Sequence, residues 1–247
     1  MDELKLTKHR LFPLPDRPWL MIQRWDHVFF YHWAIPSSLL KDHIPKQLEL
    51  DEFDGVAWLG IVHFEVNKLK VRGIPRFPFL EGFLELNVRT YVKYRGKPGI
   101  YFFNLDASSP IVVFLAKTGY LLPYRKAELN SLKTEKGFKF RNKRIVSKEK
   151  TEKFSAIIQQ TEALYYSQEG SLDHWLTERY CAWTSIGSKL CRVDIHHLKW
   201  RLSRAKAEIK ANTMASFLPS WRFDTEPLVH YSPSKEAYFW PLKLEVH

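Results

Sequence analysis

Glu85-Leu86-Asn87-Val88-Arg89-Thr90-Tyr91-Val92 is the stretch on which the reading of this chain turns. Alternate side chains of a strand point to opposite faces. Glu85, Asn87, Arg89 and Tyr91 therefore share one face, and Leu86, Val88, Thr90 and Val92 share the other. An acid, an amide, a guanidinium and a phenol side by side fit the wall of a small polar cavity inside a barrel. They do not resemble the Lys, Thr and Glu of an ordinary solvated sheet surface.

Working outward, Arg95-Gly96-Lys97-Pro98-Gly99 reads as a turn into a second strand, Ile100 to Asp106, which makes a hairpin. Ser109-Pro110 starts a helix over Ile111 to Thr118, with Gly119 at its C-terminal cap. Upstream, Leu11 to Pro18 is too rich in proline for helix or central strand, and residues 1–18 read as an extended arm. Trp19 to Trp33 reads as a long strand. Pro36-Ser37-Ser38 opens a short helix with Ser37 as its cap, and Pro45 ends it. Gln47 to Leu50 and Val56 to Asn67 read as strands about a turn at Asp54-Gly55, and Ile74 to Phe79 as a loop.

Downstream strands are expected at Phe138–Ile145, Lys153–Gln160, His174–Trp183 and Lys189–His197, with turns at Gly137, Gly170 and Gly187. Arg204 to Asn212 mixes a two-residue period with helix-forming Ala, Lys and Glu, and the period favours a strand. A final strand is expected around Tyr238 to Val246. Many strands with two short helices, no repeat and no linker imply one domain over residues 1–247. Its class is mainly β, either a closed antiparallel barrel or two packed sheets.

The composition is that of a folded chain: 247 residues, 45% hydrophobic, 15% aromatic, with nine Trp and seventeen Phe. Cys181 and Cys191 could meet across a hairpin, but without neighbouring ligands they make no zinc site, and two buried reduced thiols are expected. The start Met1-Asp2-Glu3-Leu4-Lys5 lacks the basic and apolar regions of a signal peptide. No apolar run reaches roughly 18 residues. A cytoplasmic protein without membrane insertion is expected, and a homo-oligomer is compatible with the sequence.

The net charge is +11, and Arg125 to Lys153 carries eleven Lys or Arg against four Glu. This segment either attracts nucleic acid or another anionic surface, or lines the solvent side of a hairpin and protects its edge. No RNA-binding or helix-turn-helix pattern accompanies it, which favours the second reading.

Candidate chemistry is concentrated in two places. Glu85 beside Arg89 makes either an anion site with a general acid or base or a buried structural ion pair; Asn87 and Tyr91 extend the same face. Thr177-Glu178-Arg179-Tyr180 repeats the inventory, and in a strand either Glu178 and Tyr180 or Arg179 would face the cavity. His196-His197 point apart, and His32, His63 and His230 are scattered without carboxylates at ligand spacing, so no metal is expected. No phosphate loop, Gly-x-Ser-x-Gly elbow or His-Glu-x-x-His is present, and no cofactor is expected.

Together, Pro15-Asp16-Arg17-Pro18-Trp19, His32-Trp33, Phe83 to Val92, Gly99 to Ala107, Leu122-Pro123-Tyr124, Trp175 to Tyr180 and His230-Tyr231-Ser232-Pro233 resemble the uncharacterised bacterial YqjF-like family. That family is similar in fold to acetoacetate decarboxylase, so the resemblance implies a cone-shaped antiparallel β-barrel with a central cavity. The decarboxylase reaction uses a lysine that forms a Schiff base, with a second lysine beside it. Its Pro-Lys-Lys pattern is matched here by Pro123-Tyr124-Arg125, so Tyr124 stands at the nucleophile's place and Arg125 keeps the neighbouring cation. A phenol cannot form an imine. Lys126, on the face of Tyr124 if the segment is extended, is the nearby amine. Glu85 resembles a cavity glutamate of the decarboxylases, and His32 falls near their cavity arginine.

Three functions follow as expectations. The foremost is a barrel that binds a small carboxylate or other oxyanion, with Arg89 or Arg125 as the anion holder, Glu85 as acid or base and Tyr124 as a hydrogen-bond donor. The alternatives are a lyase acting on keto acids through Lys126, and an anionic-surface or nucleic-acid binder acting through residues 125–153.

Overall fold

The computed structural model describes residues 3–75, 80–119, 122–218, 221 and 223–245. Residues 76–79 of the expected loop, and Val246 of the expected last strand, lie outside the described residues. The strands in chain order are β1 (Met21–Ile35), β2 (Glu49–Leu50), β3 (Ala57–Val71), β4 (Phe83–Tyr94) and β5 (Lys97–Ala107). There follow β6 (Tyr124–Lys126), β7 (Glu128–Thr134), β8 (Gly137–Ile145), β9 (Thr151–Gln160) and β10 (Tyr165–Tyr166). The set closes with β11 (Cys181–Ile186), β12 (Lys189–His196), β13 (Arg201–Asn212), β14 (Leu228–Phe239) and β15 (Lys243–Leu244). Three α-helices interrupt them: α1 (Ser37–Leu40), α2 (Pro110–Gly119) and α3 (Leu172–Thr177).

All fifteen strands belong to one hydrogen-bonded sheet. Its central run is β12-β11-β5-β4-β3-β1-β14, and pairing of Ile195 with Phe239 and of His196 with Tyr238 joins the two ends into a ring. Beyond β14 the sheet continues through β13, β9, β8 and β7. One face of β1, β3 and β4 looks into the ring. The other packs Phe29, Tyr31, Trp33, Leu59, Ile61, Leu86 and Val88 against Phe140, Phe154 and Ile158 of the outer sheet. His63 is a core histidine of this second layer. It stacks on Phe140 and bonds to the Tyr31 hydroxyl at 3.0 Å, and burial lowers its pKa to about 3.

Local chemistry accounts for the turns. Arg95 and Gly96 have φ of 49° and 74°, and Asp54 and Gly55 of 51° and 76°, the pair of positive values that a two-residue hairpin turn requires. Strand β5 therefore begins at Lys97 and includes Pro98 and Gly99. The helix after Ser109-Pro110 forms as expected, with the Ser109 hydroxyl accepting from the Val112 N–H at 3.4 Å. The period-two reading of β13 also holds.

Several expectations are corrected. Thr177-Glu178-Arg179-Tyr180 is not strand: Ser171 accepts from the His174 N–H and caps α3, which ends at Thr177, and β11 starts only at Cys181. Among the described residues there are three α-helices, where two were expected. Ser37 is the first residue of α1, not its cap; Pro36 holds that place, and the Ser37 hydroxyl donates to Glu52. The strand read from Tyr238 onward is the end of β14, interrupted at Pro241, which has no N–H to give a ladder. Cys181 lies opposite Asp194 and Cys191 opposite Thr184, so the two buried free thiols do not face each other.

Register breaks determine what the ring encloses: opposite Arg24 and Trp25 the pairing skips Asn67 of β3, so that Leu69 and Val71 line the interior before it and Val62 and Phe64 beyond it. On β1 a register break spans Asp26 to Phe29 around His27, whose φ is 51°. Gln23 and Trp25 line the interior before it, Val28 and Phe30 after it. A third break, opposite Val88 and Arg89, lets Phe102 and Leu105 of β5 both face inward. An extra residue in a strand inverts the alternation beyond it.

Candidate functional site

The ring encloses a cavity of about 500 Å³, within the range of small-molecule sites. Strand β4 supplies its polar wall: Glu85, Asn87 and Arg89 all line it, in the order the two-residue period predicts. Tyr124, carried on β6 by its parallel pairing with Leu105 of β5, reaches the same wall. Its hydroxyl donates to Glu85 Oε2 at 2.8 Å.

Glu85 is 3% exposed. Burial pushes its carboxyl up to about 7, against the hydrogen bonds that Tyr124 and Asn87 donate, while the charge of Asp106 adds to the rise. Near neutral pH it holds or releases a proton, the condition for general acid–base work. Asn87 spends its amide on Glu85 and leaves Oδ1 buried without a partner.

Arg89 is 8% exposed. Among the described residues its guanidinium has no carboxylate partner. Nη2 reaches the Leu176 carbonyl at 3.5 Å, Nε has no hydrogen bond, and the group lies over the rings of Phe30 and Tyr91 at 5.5 and 5.7 Å. Glu85 and Arg89 are therefore not an ion pair. Their Cα atoms are about 13 Å apart along the strand at ~3.3 Å per residue, which leaves a ligand-sized interval between acid and cation.

Behind Arg89 stands a positioning layer. Gly60 of β3 is opposite His32 on one side and Arg89 on the other. A Cβ at Gly60 would lie 3.3 Å from both Arg89 Cγ and His32 Cδ2, so the missing side chain is what lets the two pass. Tyr91 does not line the cavity. Its hydroxyl donates to the Leu176 carbonyl at 3.0 Å and bonds to His32 Nε2 at 2.7 Å. With that hydroxyl hydrogen given to Leu176, His32 must donate from Nε2, and its Nδ1 is left without a partner. Burial, with Arg89 and His230 nearby, holds His32 well below the ordinary histidine range.

The other expected site residues lie elsewhere. Arg179 bonds to Asp51 at 2.5 Å and to the Trp175 carbonyl at 2.7 Å, and stacks behind Tyr91 at 5.0 Å. Glu178 accepts from the Trp200 N–H at 2.9 Å and from the Tyr180 hydroxyl. None of the three lines the cavity, because the segment is a helix end and not a strand. Arg125 and Lys126 are exposed and also outside the lining. Among the described residues that line the cavity there is no lysine.

Much of the lining was not singled out from the sequence. Phe30, Phe102, Trp25, Trp200, Val193 and Ile195 form walls opposite and beside β4. Gln23 is the one further polar amide, and its Oε1 accepts from Trp25 Nε1 at 2.7 Å. An amide among Trp, Phe and Tyr was a legible signal. Which aromatics faced it was not, because the His27 bulge intervenes. Among the described residues no group of three metal-ligating side chains comes together.

The family model DUF2071, described as an uncharacterized conserved protein, matches residues 22–236. The uncharacterized protein YqjF of Bacillus subtilis strain 168 is 40% identical over 230 residues, covering 93% of this chain and 94% of that one. Among solved structures, acetoacetate decarboxylase from Legionella pneumophila superposes with a TM-score of 0.63 at 12% identity, over 99% of this chain and 94% of that one. The enduracididine biosynthesis enzyme MppR, complexed with pyruvate, gives 0.62 at 10% identity over 95% and 93%. An acetoacetate decarboxylase-like enzyme from Sphingomonas wittichii RW1 gives 0.62 at 12% over 96% and 97%. At such identities the likeness is one of fold.

Proposed function

The chain belongs to the DUF2071 family, and from that premise we propose that it binds a small carboxylate, or a related oxyanion, in the cavity of a cone-shaped barrel formed by the closed ring. Arg89 is the anion holder and Glu85 the proton donor or acceptor. One observation carries this reading: a buried guanidinium that faces a cavity and has no carboxylate partner among the described residues. An unpaired buried charge is costly, and a bound oxyanion would offset that cost with charge-assisted hydrogen bonds. The fold neighbour MppR is complexed with pyruvate, a small carboxylate, which supports this ligand class.

The raised carboxyl of Glu85 favours a second, catalytic reading: proton transfer to or from a carbonyl compound held by Arg89, with Tyr124 bonded to the same acid. The lining offers no amine for an imine. Borohydride reduction in the presence of keto acids, read by intact mass, is expected to leave the chain unmodified. An adduct lost in Lys126→Ala would instead establish the lyase.

The binding reading is tested by native mass spectrometry of protein purified without added ligand, followed by calorimetric titration of carboxylates into wild type and Arg89→Met. A bound anion retained by wild type and lost by the variant is expected. Equal binding to both proteins would overturn the assignment of Arg89.

A further inference from the structure

We infer that the ligand is a monocarboxylate with an apolar body of several carbons, aliphatic or aromatic, and not a short polar keto acid. The inference rests on the oxyanion reading and deepens it. Its ground is the division of labour in the lining. Among the described lining residues, polar side chains other than two tryptophan indoles are Gln23, Glu85, Asn87, Arg89 and Tyr124. Three of these are already matched: Gln23 accepts from Trp25, and Glu85 accepts from Tyr124. The buried polar atoms of the lining without a hydrogen bond are Asn87 Oδ1 and Arg89 Nε, both on β4, and the indole Nε1 of Trp200.

Facing the β4 groups, β5, β11 and β12 present Ile100, Phe102, Ala182, Val193 and Ile195 without a polar side-chain atom. The cavity then runs toward α2, whose Ile111 and Leu115 line it while remaining 47% and 48% exposed. The polar end is thus buried and the apolar end reaches the surface. A two- or three-carbon acid on Arg89 would leave most of this wall facing water. A longer body covers it and gains the burial free energy of each methylene. Among the described lining residues there is one cation, at the floor, with apolar walls beyond it, which matches one anionic group per ligand; a dicarboxylate would place its second charge against those hydrocarbon walls.

The test is calorimetric titration of the full chain with pyruvate, butanoate, hexanoate, octanoate and 3-phenylpropionate, and with octan-1-ol as the uncharged control. Affinity is expected to rise about fourfold per methylene from butanoate to octanoate, with pyruvate weakest. Octanol is expected to bind about tenfold or more weaker than octanoate, a gap that Arg89→Met closes. Pyruvate binding as tightly as octanoate would overturn the apolar body while leaving the oxyanion reading intact. Octanol matching octanoate in wild type would overturn the oxyanion reading instead. Val112→Phe, which narrows the apolar end at α2, is expected to weaken octanoate and spare butanoate; equal losses for both acids would count against the inference.

Discussion

Two buried polar clusters lie on opposite sides of the same sheet, and they are built in opposite ways. Where the outer sheet meets the ring, Arg144 of β8 bonds to both Asp106 of β5 and Glu152 of β9. Asn142 adds a bond to Asp106 at 2.7 Å, and Ser216 one to Glu152. That cluster pairs its one guanidinium with two carboxylates, leaves Asn142 Oδ1 without a hydrogen bond, and lies outside the cavity lining. In the cavity, Arg89 has no carboxylate partner among the described residues, and burial holds Glu85 near 7. A closed cluster fastens one layer to another; an open one has capacity left for a ligand. The difference separates a structural ion group from a binding site better than residue type does, since both contain an arginine and acids.

The comparison can be broken by deleting each arginine. Arg144→Met strands two buried carboxylates and is expected to cost about 3–5 kcal/mol in urea unfolding. A loss under about 1 kcal/mol would mean that the cluster is not the fastening described.

The pH response sharpens the comparison next. Glu85 has a folded-state pKa above its unfolded value of about 4.5. The folded state therefore holds the extra proton between those values, and stability from this group is lost as pH rises through about 7. The 2.5-unit gap is worth roughly 3 kcal/mol. The buried histidines His32, His63 and His197, held below the ordinary range, act in the opposite direction, since the unfolded chain takes up protons below about 6.5. Glu85→Gln should isolate the acid: the difference from wild type is expected to favour the variant increasingly from pH 5 to pH 8, and a constant difference would refute the raised carboxyl.

Tyr124→Phe removes the hydroxyl bond to Glu85 and is expected to cost about 1–2 kcal/mol. It should also move the Glu85 titration further up, which carbon-detected NMR of the carboxyl would follow. The smallest stability effect is expected for Arg89→Met, within about 1 kcal/mol of wild type, because no carboxylate is stranded. A loss comparable to that of Arg144→Met would reveal an ion pair at Arg89 and dissolve the contrast between the clusters.

The legible part of the site is the part that rests on one strand. Glu85, Asn87 and Arg89 lie where alternation puts them, and Tyr124 lines the same cavity and bonds to Glu85. Tyr91 keeps the same face but turns to His32 and Leu176. Thr177 to Tyr180 failed as a strand because Ser171 caps a helix, and a six-residue helix leaves too little period to outweigh an apparent alternation. The basic run was half legible. Lys139, Arg141 and Lys143 form the exposed face of β8, whereas Arg144, next in sequence, points inward to two acids.

The residues alone determined a β-rich chain, the hairpin about Arg95-Gly96, and the sharing of one face by an acid, an amide and a guanidinium, because alternation and turn chemistry are local. Only the tertiary structure decided that Arg89 goes unpaired while Arg144 does not, and that the cavity opposite β4 is apolar. Those outcomes depend on ring closure between β12 and β14 and on three register breaks that invert which residues look inward. Such features arise from strands far apart in the chain, and no local period records them.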